Sequence, residues 1–105
     1  LAQSDYRLML SGKPEFPAEN TTEFIQSDIP SQEEICQGYY YRYIQFYSVP
    51  TEQQKELLEQ TGIKLLDYIP RNTFCSAIPL NYNKTQLQQF GIRSITSRTS
   101  EQNSQ

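Results

Sequence analysis

Tyr39-Tyr40-Tyr41-Arg42-Tyr43-Ile44-Gln45-Phe46-Tyr47 decides how the rest of the chain is read. Six of its nine residues are aromatic. Aromatic and β-branched side chains pack well on a pleated surface, so the run predicts a β-strand. Alternation along a strand puts Tyr40, Arg42, Ile44 and Phe46 on one face and Tyr39, Tyr41, Tyr43, Gln45 and Tyr47 on the other. The first face carries the apolar pair that packs under helices. The second is rich in tyrosine without being greasy, which suits a sheet face that meets another protein.

Downstream signals alternate in kind. Ser48-Val49-Pro50 stops the strand, and Thr51 with Gln54 forms a capping box for a helix over Glu52–Gln60. Gly62 stands where a helix end favours a left-handed residue. Ile63–Ile69 reads as a second strand, Pro70-Arg71-Asn72 as a tight turn and Thr73–Ile78 as a third strand. After Pro79 a second helix is predicted over Asn83–Phe90, with Asn81 or Asn83 as cap and Gly91 as stop. Ile92-Arg93-Ser94-Ile95 opens a fourth strand. Strand, helix, strand, hairpin, strand, helix, strand is the ferredoxin-like order. The expected fold is therefore α+β, a four-stranded antiparallel sheet in order 4-1-3-2 with both helices on one face. Leu57, Leu58, Leu87, Phe90, Ile44 and Phe46 form its expected core. Tyr39 or Tyr40 should lie near Ile78, and Tyr43 near Cys75.

Three regions follow: an irregular N-terminal arm over 1–38, a ferredoxin-like core over 39–96 and a polar tail over 97–105. Within the arm, Asp5–Leu10 could form a short extended piece ended by Ser11-Gly12-Lys13-Pro14. Pro14, Pro17 and Pro30 exclude a long helix or a central strand. Ser31 and Glu34 can cap a single helical turn.

With 105 residues, the chain has room for one modest core. Its formal charge is −3 with nine Lys and Arg, which offers no electrostatic footprint for nucleic acid. No apolar run approaches the roughly 20 residues that span a bilayer. The chain opens on Leu1, as expected of a fragment or a processed product. It contains no histidine. Serine–histidine and cysteine–histidine catalysis within the chain are thereby excluded, as are zinc sites that use histidine. Two cysteines alone cannot close a structural zinc site. The twelve carboxylates fall mostly in helix-like or tail segments and read as solvated surface. A non-catalytic binding domain without cofactor is the expectation.

Gln45-Phe46, Pro50-Thr51-Glu52-Gln53-Gln54, Gly62 and above all Leu65-Leu66-Asp67-Tyr68-Ile69-Pro70-Arg71-Asn72-Thr73-Phe74 carry a resemblance. The chain is similar over residues 39–95 to the N-terminal propeptides of secreted bacterial subtilisin-like serine proteases. Within this string, Asp67, Tyr68, Ile69, Pro70 and Asn72 are the hairpin motif. The resemblance implies an intramolecular chaperone and inhibitor, exported to the outside or the periplasm. Its partner would be a protease domain of the same polypeptide, docked on the open sheet face at Tyr39, Tyr41, Tyr43, Gln45 and Tyr47. Templating suits such proteases, whose many non-local contacts make folding slow. The stretch Ser97-Arg98-Thr99-Ser100-Glu101 departs from the pattern, because it has no apolar residue for a subtilase cleft.

Blander readings stand beside these. The tyrosines could be ordinary sheet surface or a base-stacking platform, although the acidic balance argues against the latter. The hairpin motif could act only through its turn. Asn20-Thr21-Thr22 and Asn83-Lys84-Thr85 match a glycosylation sequon, for which chance is a sufficient account. The rival function is a stand-alone regulator that binds a small ligand or another protein. Export would favour a Cys36–Cys75 disulfide. Yet a chain that enters the first strand straight puts Cys36 on the order of 20 Å from Cys75. A disulfide needs Cα atoms within about 7 Å, so two free thiols are expected.

Overall fold

A computed structural model describes residues 8–10, 13–15 and 19–97. The aromatic run forms strand β3 (Tyr39–Phe46), with β4 (Lys64–Ile69), β5 (Thr73–Pro79) and β6 (Ile92–Ser97) around it. The antiparallel sheet runs β4-β5-β3-β6, which places the aromatic strand between two neighbours. Numbered from that strand, this is the 4-1-3-2 order of an α+β ferredoxin-like fold. The register pairs Tyr40 with Ile78 and Tyr43 with Cys75. Upstream, β1 (Leu8–Leu10) and β2 (Lys13–Glu15) form a separate antiparallel ribbon, and β1 lies against β4. The expected segment after Ser97 falls outside the described residues.

One face of the sheet holds the main core. Tyr40, Ile44 and Phe46 of β3 join Phe74 and Ile78 of β5 and Ile92 and Ile95 of β6. Helix α2 (Glu52–Gln60) adds Leu58, and a 3-10 helix over Lys84–Gln89 adds Leu87. Thr51 caps α2 as expected: its side chain accepts from the Gln54 N–H at 3.1 Å, and Gln54 returns the contact to the Thr51 N–H. Adjacent helical residues point about 100° apart, so Leu57 and Leu58 cannot both face the sheet. Leu58 is 1% exposed and Leu57 50%, which corrects the expectation that both are buried. The second helix winds as 3-10 rather than α. Its apolar residues Leu87 and Phe90 are three apart and eclipse at three residues per turn, with Phe90 half-buried against the core.

The arm is also more structured than expected. Helix α1 (Thr21–Ser27) places Phe24 in the main core at 3% exposure. A 3-10 turn follows at Gln32–Glu34, closed by the predicted Ser31–Glu34 capping box. Gln37 and Gly38 then reverse the chain with φ of 54° and 85°. Cys36 consequently pairs antiparallel with Tyr39. The chain does not enter β3 straight, yet both cysteines are free thiols.

Candidate protein-docking surface

The second sheet face is where docking is expected, and the register assembles it. Tyr41 lies opposite Ala77, Tyr43 opposite Cys75, and Gln45 between Thr73 and Ser94. This face is not bare. Tyr43 is 6% exposed, Gln45 1%, and Cys75, Ala77, Thr73 and Ser94 are buried as well. Tyr43 and Cys75 form a small apolar cluster with Ile69 packed against it. Alternation dictates which side chains share a face, but not whether other parts of the chain cover that face. The open face expected from the sequence is therefore closed at its centre.

Accessible phenols remain at the margins. Tyr47 is 44% exposed, and its hydroxyl donates to Glu19 Oε2 at 2.6 Å. Tyr39 and Tyr41 are half-buried, and Lys64 Nζ stands 4.8 Å from the centroid of the Tyr39 ring. Gln45 is a structural node: its Nε2 donates to the Arg71 carbonyl at 3.2 Å. Its Oε1 accepts from Arg93 at 2.9 Å and from Ser94 Oγ at 3.3 Å. One buried amide thus ties β3 to the β4–β5 turn and to β6.

The hairpin motif is held together by its own turn contacts, while Tyr68 stays 48% exposed. Asn72 adopts φ 56°, the left-handed conformation that the turn reading requires of it. Its Nδ2 donates to the Tyr47 carbonyl at 3.1 Å, and its own carbonyl accepts from the Phe46 N–H at 2.8 Å. Tyr68 packs edge-on against Phe74 with centroids 5.3 Å apart, and its hydroxyl accepts from the Asn72 N–H at 3.0 Å. Ile69 is half-buried, whereas Asp67 and Pro70 face solvent. A register shift between Leu65 and Tyr68 sets Leu66 and Asp67 together opposite the single residue Cys75, a bulge with one extra residue, and Leu66 is 46% exposed. Bulges turn an edge strand away from unwanted pairing.

Sequence reading missed a charged centre. Arg42 lies on the core face at 3% exposure. Its guanidinium pairs with Asp28 at 3.1 Å and with Glu34, donates to the Tyr41 carbonyl at 2.9 Å, and sits 4.9 Å from the Tyr40 ring centroid. Burial alone would raise the Glu34 carboxyl. The Ser31 N–H and the Arg42 guanidinium outweigh it and hold Glu34 below the ordinary glutamate value. Burial, reinforced by the Asp28 charge, pushes the Tyr40 phenol up to about 12. The available signal was an arginine on the apolar parity of a central strand, which demands acidic partners.

A shallow cleft of about 630 Å³ opens between the start of α1, Tyr47, Gly91 and Arg93, with Leu87 and Ile92 in its lining. Among the described residues no group of three or more His, Cys, Asp or Glu could hold a metal ion, and no helix is long and apolar enough to cross a membrane.

These features define a ferredoxin-like domain with a closed second face and an internal ionic clamp. A family model described as "Domain of unknown function (DUF8729)" matches residues 7–98, and the chain belongs to that family. No curated protein and no solved structure matches it.

Proposed function

We propose that this domain is the propeptide-like part of an exported subtilisin-type serine protease, acting as folding template and inhibitor of a protease domain in the same polypeptide. One observation carries the reading. Residues 65–74, where the resemblance is densest, form the β4–turn–β5 hairpin of a sheet with the ferredoxin-like strand order expected from the alternation of strands and helices. The chain's lack of histidine supports a non-catalytic role. Docking then begins at the accessible margin of the second face, at Tyr39, Tyr41 and Tyr47. Tyr43 and Gln45, closed off in the isolated chain, act by holding that margin in place.

The test adds the chain in trans to its separately expressed protease domain. Wild type should speed the recovery of activity during refolding and inhibit the folded enzyme, since one set of contacts serves both. Tyr41→Ala combined with Tyr47→Ala should weaken inhibition by roughly 2–4 kcal/mol if the two phenols are interface hot spots. Undiminished inhibition by the double variant would move the docking site off this face. Neither inhibition nor assistance by wild type would overturn the reading itself.

A further inference from the structure

Strand β6 ends the sheet, and an edge strand ordinarily offers backbone N–H and C=O groups to any extended segment that arrives. Here much of that edge is occupied from within the chain. The Asn20 side-chain amide donates from Nδ2 to the Ile95 carbonyl at 2.8 Å and accepts at Oδ1 from the Ile95 N–H at 2.7 Å. One side chain thus gives Ile95 the donor and the acceptor that a neighbouring strand would supply. The Asn20 N–H adds a bond to the Arg93 carbonyl at 3.2 Å, and Thr21 Oγ1 donates to the Ile92 carbonyl at 2.8 Å. Asn20 also stands at the N-cap of α1, where an asparagine side chain usually accepts from the first turn. It makes no such bond. The amide is committed to β6 at the expense of its own helix.

We propose that Asn20 is a strand-edge lock that keeps this chain monomeric, and that the partner it shuts out is the β6 edge of a second copy. Antiparallel pairing of two β6 strands about Ile95 is self-complementary, as a two-fold contact requires. It sets Ser94 opposite Thr96 and Arg93 opposite Ser97, so the one charged residue of β6 meets a hydroxyl and no like charge. The two copies of Ile95 would exchange the N–H and C=O groups that Asn20 now holds. Ile92, Ile95 and Thr96 supply the β-branched content that favours such pairing. This inference is independent of the proposed protease partner.

Sedimentation velocity on the full chain tests it. Wild type should stay at monomer mass as concentration rises, whereas Asn20→Ala should shift towards twice that mass. A wild-type dimer, or a folded Asn20→Ala chain that stays monomeric, overturns the lock. Should Asn20→Ala fail to fold, amide exchange on wild type decides. The Ile95 N–H should exchange roughly 100-fold or more slowly than an open edge amide. Exchange at the open-edge rate removes the lock.

Discussion

Arg42 is the residue whose environment says most about the limits of reading a strand by parity. Its place on the apolar face follows from alternation, but Asp28 and Glu34 approach it from a segment with little periodic signal. Arg42→Ala should cost about 3 kcal/mol in urea denaturation, because two partly buried carboxylates lose their counter-charge. The pH dependence has two limbs. Glu34 titrates lower in the folded state than its ordinary value of 4.5, so its contribution is present above that pH and is lost as pH falls through the folded value. Tyr40 titrates at about 12 instead of 10.0, so its contribution is present below pH 10 and is lost as pH rises towards 12. Equilibrium unfolding across pH should show both limbs, and Tyr40→Phe should flatten the alkaline one. Leu57 and Leu58 give a sharper contrast. Leu58→Ala should lose about 2–4 kcal/mol and Leu57→Ala under about 0.5, measured by thermal or chemical unfolding.

At the scale of elements, the strands were legible and the short helices less so. Runs such as Thr73–Ile78 carry β-branched and aromatic residues between turn signals, and both bounds are local. Helix α1 has neither a strong apolar stripe nor a side-chain cap, since Asn20 is engaged with Ile95. Its existence depends on Phe24 finding the core, which is a long-range fact. Phe24→Ala should therefore destabilise the whole sheet by about 3–4 kcal/mol, not merely loosen the arm. A single unfolding transition shifted to lower denaturant would show this, and an unshifted transition would exclude it. The two cysteines report on the same packing. Cys36 is exposed and Cys75 buried. Thiol titration should find Cys36 reactive in the native protein and Cys75 slow, with two thiols per chain after unfolding without reductant. Fewer than two would reveal a disulfide that this fold does not hold.

For the molecule as a whole, the strand order and the choice of core face were readable because each rests on short-range chemistry. Thr51 and Gln54 cap a helix within four residues, Asn72 tolerates the turn it occupies, and alternation through Tyr39–Phe46 sorts side chains between two sides. Chain reversal at Gln37–Gly38 is not legible in the sequence, although Gln-Gly is a modest turn signal, because nothing nearby says which strand the returning segment will meet. The candidate site divided along the same line. Sequence alone determined that Tyr41, Tyr43 and Gln45 share a face, that no histidine chemistry is possible, and that β4 and β5 form one hairpin. Tertiary structure alone decided that Tyr43 and Gln45 are buried while Tyr47 is not, that Arg42 is clamped between Asp28 and Glu34, and that Asn20 serves β6 rather than its own helix. The physical reason is range: propensity, capping and alternation act over a few residues, whereas burial and ion pairing depend on which distant segment arrives to fill the space.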